Sequence, residues 1–246
     1  MARVLILGGT RDAVDLAGAA SALAGIEVIY SLAGVTRNPN LPDCEIRSGG
    51  FGGAEGLRKY LADARIDAVI DATHPFAAKI TANAAAACGG ENIPRLKYLR
   101  PPWRPAPGDN WIEVSSSKDA ALFLADHPGT AFLTTGTRQL SAFAGLTDCR
   151  FVVRYIHAPK DGAPLENCEV VVSRGPFDEE GETALMRSHG IDVLVCKNSG
   201  GDAAAAKLGA ARALTIPVIM IARPPPPDSE IAETEAAAIA WLRENI

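Results

Sequence analysis

The stretch Ala68-Val69-Ile70-Asp71-Ala72-Thr73-His74-Pro75-Phe76 decides the fold. An apolar run that ends in Asp-Ala-Thr-His-Pro reads as a buried parallel strand whose carboxyl end opens into a loop. Pro75 is expected at or near the first turn of the following helix, where a missing N–H costs nothing. That helix, from about Phe76 to Cys88, is dense in alanine, a strong helix former. Ligands of open α/β sheets bind beyond the carboxyl ends of the strands. Thr73 and His74 therefore stand where a cofactor and a substrate would meet. Two readings are open for His74: a proton donor, because its ordinary pKa lies near neutrality, or a loop residue bonded to a backbone carbonyl.

Toward the N-terminus, Arg3–Leu7 is a short apolar strand, followed by Gly8-Gly9-Thr10-Arg11 and a helix from about Asp12 to Leu23. Strand, glycine turn and helix together aim backbone N–H groups and a helix dipole at a phosphate. The full Gly-x-Gly-x-x-Gly spacing is absent, since Ala13 stands where a third glycine would fall. A tight turn without a ligand stays open as the other reading. The second strand, Glu27–Ser31, ends without the Asp or Glu that usually holds the ribose 2′-hydroxyl of NAD. No carboxylate repels a 2′-phosphate beside Ser31, and Arg11 and Arg37 are candidates to bind one. A dinucleotide here would be NADP(H) rather than NAD(H).

Next come Gly49-Gly50-Phe51-Gly52-Gly53, four glycines in five residues, before a helix from Ala54 to Ala64. Glycine permits positive φ and close approach of the backbone to a ligand, which makes Gly50, Phe51, Gly52 and Gly53 a candidate cofactor loop. Ile93–Leu99 is a further strand. After it, four prolines and a glycine in residues 101–108 read as a semi-rigid linker. The expected division is 1–99, holding the cofactor, and 100–246, holding an anionic substrate.

The second half repeats the alternation. Strands are expected at Trp111–Val114, Thr130–Thr134, Phe151–Ile156, Glu169–Ser173, Asp192–Cys196 and Ile216–Ala222, with a closing helix over Glu230–Glu244. Alternating strands and helices imply parallel sheets with helices on both faces. The expected architecture is two Rossmann-like α/β domains, each with a parallel sheet of about five strands, and a cleft between them.

Composition narrows the partners. The 246 residues suit one large domain or two small ones, and a net charge of −5 argues against nucleic acid as the main partner. Five widely spaced cysteines, odd in number and without a Cys-x-x-Cys pair, fit a reducing cytoplasm and offer no zinc or redox motif. No uncharged run approaches the ~20 residues of a membrane helix, and no signal segment is apparent, so a cytoplasmic protein is expected. Yet basic residues recur at strand ends: Arg100, Arg138, Arg154, Arg174, Lys197 and Arg223. With Thr135, Gly136, Ser199, Gly200 and Gly201 beside them, they are expected to converge on one rim suited to carboxylates or phosphates.

Several chemistries are excluded. None of the four tyrosines has a lysine four residues on, so the Tyr-x-x-x-Lys pair of short-chain dehydrogenases is missing. The four histidines stand alone without metal-ligand spacing, and no Gly-x-Ser-x-Gly elbow occurs. A two-lobed binding protein and a cofactor-free tetrapyrrole enzyme similar to uroporphyrinogen-III synthase are the alternatives.

The motifs taken together resemble the precorrin-6A reductases. They are Leu7-Gly8-Gly9-Thr10, Gly50-Phe51-Gly52-Gly53, Asp71-Ala72-Thr73-His74-Pro75-Phe76-Ala77 and Arg100-Pro101-Pro102-Trp103. The series continues with Thr134-Thr135-Gly136, Gly175-Pro176-Phe177, Lys197-Asn198-Ser199-Gly200-Gly201 and Arg223-Pro224. The resemblance implies NADPH-dependent reduction of one double bond of the precorrin-6A macrocycle, giving precorrin-6B in cobalamin biosynthesis. Hydride would go to carbon 19 and a proton to carbon 18. The substrate's many carboxylates would explain the basic rim, and Trp103 and Phe177 are candidates to pack on the ring or simply to fill the linker and core. Gly8, Gly9, Thr10 and the Gly50–Gly53 loop would seat the dinucleotide, with Thr73 and His74 at the nicotinamide. His74 is the candidate proton donor, Asp71 or water its rivals, and Lys197 a stabiliser of charge on the ring. Nothing in the sequence defines an oligomeric state.

Overall fold

In the computed structural model, which describes residues 1–34, 41–160, 162–226 and 228–246, the chain alternates strand and helix from its first residues. The elements are β1 Ala2–Leu7, α1 Arg11–Ser21, β2 Ile26–Leu32, β3 Glu45–Ser48, α2 Gly53–Asp63, β4 Ala68–Asp71, α3 Ala78–Glu91 and β5 Arg95–Tyr98. They are followed by β6 Trp111–Val114, α4 Ser117–Asp126, β7 Thr130–Leu133, β8 Arg150–Tyr155, β9 Cys168–Val172 and α5 Glu179–Ser188. The chain ends with β10 Val193–Lys197, α6 Ala206–Ala213, β11 Val218–Ile221, β12 Glu230–Ala232 and α7 Glu235–Asn245. Arg37 lies outside the described residues.

These elements form two units, Met1–Pro101 with Pro224–Ile246, and Pro102–Arg223. The first holds a six-stranded sheet in the order β12-β5-β4-β1-β2-β3, the second one in the order β6-β11-β10-β7-β8-β9. Every pairing is parallel. Read from its β3 edge, the first sheet has the 3-2-1-4-5-6 strand order of a dinucleotide-binding domain, which reverses direction between β1 and β4. In the second sheet the reversal falls between β7 and β10.

Period-two alternation builds the first core. Val4, Ile6, Val28 and Tyr30 face α1 and α7 through Leu16, Ala17, Ala20, Ala238, Trp241 and Leu242. Leu5, Leu7, Ile29 and Val69 face the other way, onto Leu57 and Leu61 of α2 and Ala84, Ala87 and Cys88 of α3. Both faces are covered, so the strands read as unbroken apolar runs. Thr10, Ser116, Asp178 and Thr234 cap α1, α4, α5 and α7, each accepting a backbone N–H three residues on.

Four expectations are corrected. The first sheet has six strands rather than about five, and the second is made of the six named above. The closing segment begins as β12, not as a helix, and pairs with β5, the Leu99 N–H donating to the Ala232 carbonyl at 2.9 Å. It therefore belongs to the first unit instead of ending a 100–246 domain. The helix after His74 starts at Ala78, because the Ala77 N–H first closes a turn onto the His74 carbonyl at 2.8 Å, with Pro75 as the turn's second residue.

The connections explain the third of these corrections. The first sheet takes five strands from the start of the chain and its sixth, an edge strand, from the end, whereas all six strands of the second come from one stretch. The segment after β5 becomes β6 of the second sheet, and the segment after β11 becomes β12 of the first.

Candidate active site

The β1–β4 reversal point is built by interlocked loops. Gly8 admits no side chain, since a Cβ there would lie 2.2 Å from the ring of fully buried Tyr30. The Tyr30 hydroxyl accepts the Gly9 N–H at 3.0 Å, and burial pushes that phenol's pKa up. Gly9 holds φ +114°, a conformation open to glycine, and aims the turn into α1. The Thr10 hydroxyl accepts the Ala13 N–H at 3.0 Å and donates to the Ala72 carbonyl at 3.2 Å, joining the β1 loop to the β4 loop. A crevice of about 10 Å³ lies there, lined by Thr10, Asp12, Ala72, Thr73, Tyr98 and Arg100.

Under the β4 loop is a buried polar network. Asp71 is 0% exposed, and its Oδ1 lies 3.0 Å from Lys97 Nζ. The same oxygen accepts the Thr73 N–H at 3.0 Å and the Thr73 hydroxyl at 2.6 Å. Lys97 also reaches the Thr73 carbonyl and the Thr81 hydroxyl, each at 3.4 Å. Asp71 thus sits beneath the loop, where it orders Thr73 and shows no surface to a reactant. Sequence reasoning missed Lys97, because a lysine within a strand looks like an edge residue until the fold buries it. Above the network, His74 is half-buried and its Nδ1 accepts the Phe76 N–H at 3.2 Å. That bond makes Nδ1 the acceptor and leaves the proton of the neutral ring on Nε2.

The glycine loop runs from β3 into α2. Gly52 caps α2 in the left-handed region at φ +82°, and Gly53 follows at φ +93°. At Ser31, 4% exposed, the neighbour across the sheet is Arg47, whose guanidinium the sequence reading did not single out. Arg11, by contrast, is exposed and lies 3.7 Å from Asp15. Arg100 pairs with Asp12 at 2.6 Å, at the carboxyl edge of the first sheet.

In the second unit the β7–β10 reversal point has a matching pair of turns. Gly136 after β7 (φ 80°, ψ 156°) and Gly201 after β10 (φ 76°, ψ 159°) both open short 3₁₀ helices in a region reserved for glycine. Thr135 is buried between the strand and its turn, its hydroxyl without a hydrogen-bond partner among the described residues. Lys197 ends β10, half-buried, with its pKa pushed down by burial and by the positive charge of exposed Arg138. Asn198 Oδ1 accepts the Trp103 N–H at 2.8 Å and its Nδ2 donates to the Trp103 carbonyl at 3.0 Å. The Trp103 indole N–H donates to the Gly201 carbonyl at 2.9 Å, and Arg223 Nε donates to the Asn198 carbonyl at 2.7 Å. Three motifs far apart in sequence are thereby one structural knot.

The single basic rim needs two corrections. Arg100 stands on the first sheet and the other five cations on the second. Arg154 is not open to a ligand: it pairs at 2.7 Å with Glu182, 3% exposed, and lies over the rings of Phe132 and Phe177. Arg138 and Arg174 are exposed, with Lys197, Ser199 and Arg223 half-buried at the same carboxyl edge and Gly200 buried beside them. Among the described residues no group of three His, Cys, Asp or Glu is placed to hold a metal ion, and no helix is long and apolar enough to cross a membrane.

Fold and site together define a Rossmann-type parallel α/β protein built on two sheets, with a glycine turn and a helix N-terminus at the reversal point of the first. The chain belongs to the precorrin-6x reductase CbiJ/CobK family, whose sequence model matches residues 3–243. It is 49% identical to the precorrin-6A reductase of Rhodococcus erythropolis, over 98% of each chain. To the precorrin-6A reductase of Mycobacterium tuberculosis H37Rv it is 48% identical, over 91% of this chain and 90% of that one. A solved structure of CobK precorrin-6A reductase superposes with a TM-score of 0.93 at 40% identity, covering 100% of this chain and 97% of that chain. The motif resemblance therefore holds over the full described length.

Proposed function

We propose that this chain reduces the precorrin-6A macrocycle to precorrin-6B in cobalamin biosynthesis, drawing hydride from NADPH. The match of the whole chain to a reductase family carries the reading, and the first unit supplies a place for the cofactor. Glycine at position 8, positive φ at Gly9, Gly52 and Gly53, and the open N-terminus of α1 form a cradle that a dinucleotide pyrophosphate fits. Bound there, the nicotinamide supplies a hydride; the protein's share is positioning and proton delivery.

In this reading Gly8, Gly9, Thr10 and the Gly50–Gly53 loop seat the cofactor. Thr73, fixed by Asp71 and Lys97, borders its reactive end. His74 is the proton donor as its imidazolium, which forms when Nδ1 exchanges the Phe76 N–H for a proton from solvent and returns to the neutral ring once Nε2 delivers its own. Lys197 and Arg138 bind a substrate carboxylate, with Thr135, Gly136 and the Ser199–Gly201 turn offering hydroxyl and N–H donors beside them. Arg174 and Arg223 add charge along the same edge. The tetrapyrrole is thus held by the second unit and the hydride source by the first.

The test is titration with NADPH and NADH, followed by assay of precorrin-6A with the tighter cofactor. The expected results are tighter binding of NADPH and a product heavier by two hydrogens. Failure to bind either nucleotide would overturn the reading. His74→Gln is expected to lower kcat roughly 100-fold while NADPH binding holds, the usual worth of a positioned acid. Full turnover in that variant would assign the proton to water.

A further inference from the structure

We propose that Arg47, together with Ser31, recognises the 2′-phosphate of NADPH and sets the preference for it over NADH. This rests on the dinucleotide reading of the first unit. In a sheet of this strand order the adenine ribose lies at the end of the second strand, and the side chains there choose between a 2′-hydroxyl and a 2′-phosphate. Here β2 ends in Ser31-Leu32, with no carboxylate to bond the hydroxyl or repel a phosphate. The strand beside it, β3, places Arg47 directly opposite Ser31 in the parallel register.

The guanidinium is held in place before any ligand arrives. Nη1 donates to the Gly49 carbonyl at 2.7 Å and Nη2 to the Gly50 carbonyl at 3.0 Å, and Nη1 lies 3.4 Å from the Ser31 hydroxyl. Its plane covers the Phe51 ring, 3.6 Å from the centroid, with Tyr60 at 5.0 Å. Of five N–H donors, Nε–H and one on Nη2 are left by these bonds. The nearest acidic residue on the same strand, Glu45, is taken by Arg3. Among the described residues no carboxylate forms an ion pair with Arg47, so its charge is not neutralised internally. A half-buried arginine, clamped and stacked beside a serine, suits a dianionic phosphate.

Three other described cations of this unit are placed differently. Arg58 is committed to Glu55 and Glu91, and Arg3 to Glu27 and Glu45. Arg11 is exposed on α1 beside Asp15.

The experiment measures affinity of the wild type, Arg47→Gln, Arg47→Lys and Arg11→Ala for four ligands: NADPH, NADH, adenosine 2′,5′-bisphosphate and 5′-AMP. In Arg47→Gln the two 2′-phosphorylated ligands are expected to weaken roughly 10- to 100-fold, the worth of one or two charge-assisted hydrogen bonds. NADH and 5′-AMP should be unaffected. Arg47→Lys, which keeps charge without the fork, should fall between. Equal weakening of all four ligands would overturn the proposal, because it marks Arg47 as a brace for the glycine loop only. An unchanged NADPH:NADH ratio in Arg47→Gln, or a ratio that collapses in Arg11→Ala instead, would also overturn it. A wild type that binds NADPH no better than NADH would overturn the cofactor reading and this proposal together.

Discussion

At the scale of single residues, environment decides what each charged group does. Lys197 and Arg154 were both candidate carboxylate ligands, yet Arg154 is neutralised by buried Glu182 while Lys197 faces a like charge. Burial and Arg138 hold the Lys197 ammonium below its ordinary pKa of 10.5, so it loses its proton at lower pH than a solvated lysine. A neutral amine does not attract a carboxylate. The KM for the macrocycle is therefore expected to rise with pH through that lowered value. Lys197→Arg, always charged, should flatten the rise; a profile identical in both proteins would detach Lys197 from substrate binding. The turn after His74 was legible because its motif is local, and the ring's tautomer was not, since it depends on the Phe76 N–H that the turn brings to Nδ1.

Elements are joined by polar contacts that no single segment announces. Asp71 ends β4, Lys97 is in β5 and Thr81 in α3, and the three meet buried beneath the surface. Removing one partner of a buried pair leaves the other charge uncompensated, at a cost of about 3–5 kcal/mol. Asp71→Ala should lose that much in urea denaturation, and Asp71→Ala with Lys97→Met should regain part of it. A double variant as unstable as the single one would show that the lysine is not the strained partner. The strand β3 escaped sequence reading for a related reason. Its four residues, Glu45–Ser48, form a half-exposed edge with no apolar run, and only pairing with β2 makes them a strand.

For the molecule as a whole, the return of β12 to the first sheet ties both ends of the chain to the first unit. β12 completes the edge beside β5, and α7 covers one face through Ala238, Trp241 and Leu242. A fragment of residues 1–101 is expected to lack cooperative unfolding, because α1 alone covers that face of the sheet and the β5 edge is left bare. Fusing 224–246 to it through a flexible linker should restore a single transition by circular dichroism. A cooperative 1–101 fragment would show that the last segment is an accessory.

Much followed from local order alone. Alternation of strand and helix, the glycine turns, the missing carboxylate after β2 and the family motifs are all written in contiguous residues, where φ/ψ preference and apolar periodicity act over a few positions. Which sheet owns the last 23 residues, Pro224–Ile246, was decided only by tertiary pairing, since any parallel edge offers the same N–H and C=O groups. So was the identity of the arginine beside Ser31. Sequence distance favoured Arg11 and Arg37, whereas sheet register sets Arg47 against Ser31. Charge acts through space, and the fold alone determines which charges are neighbours.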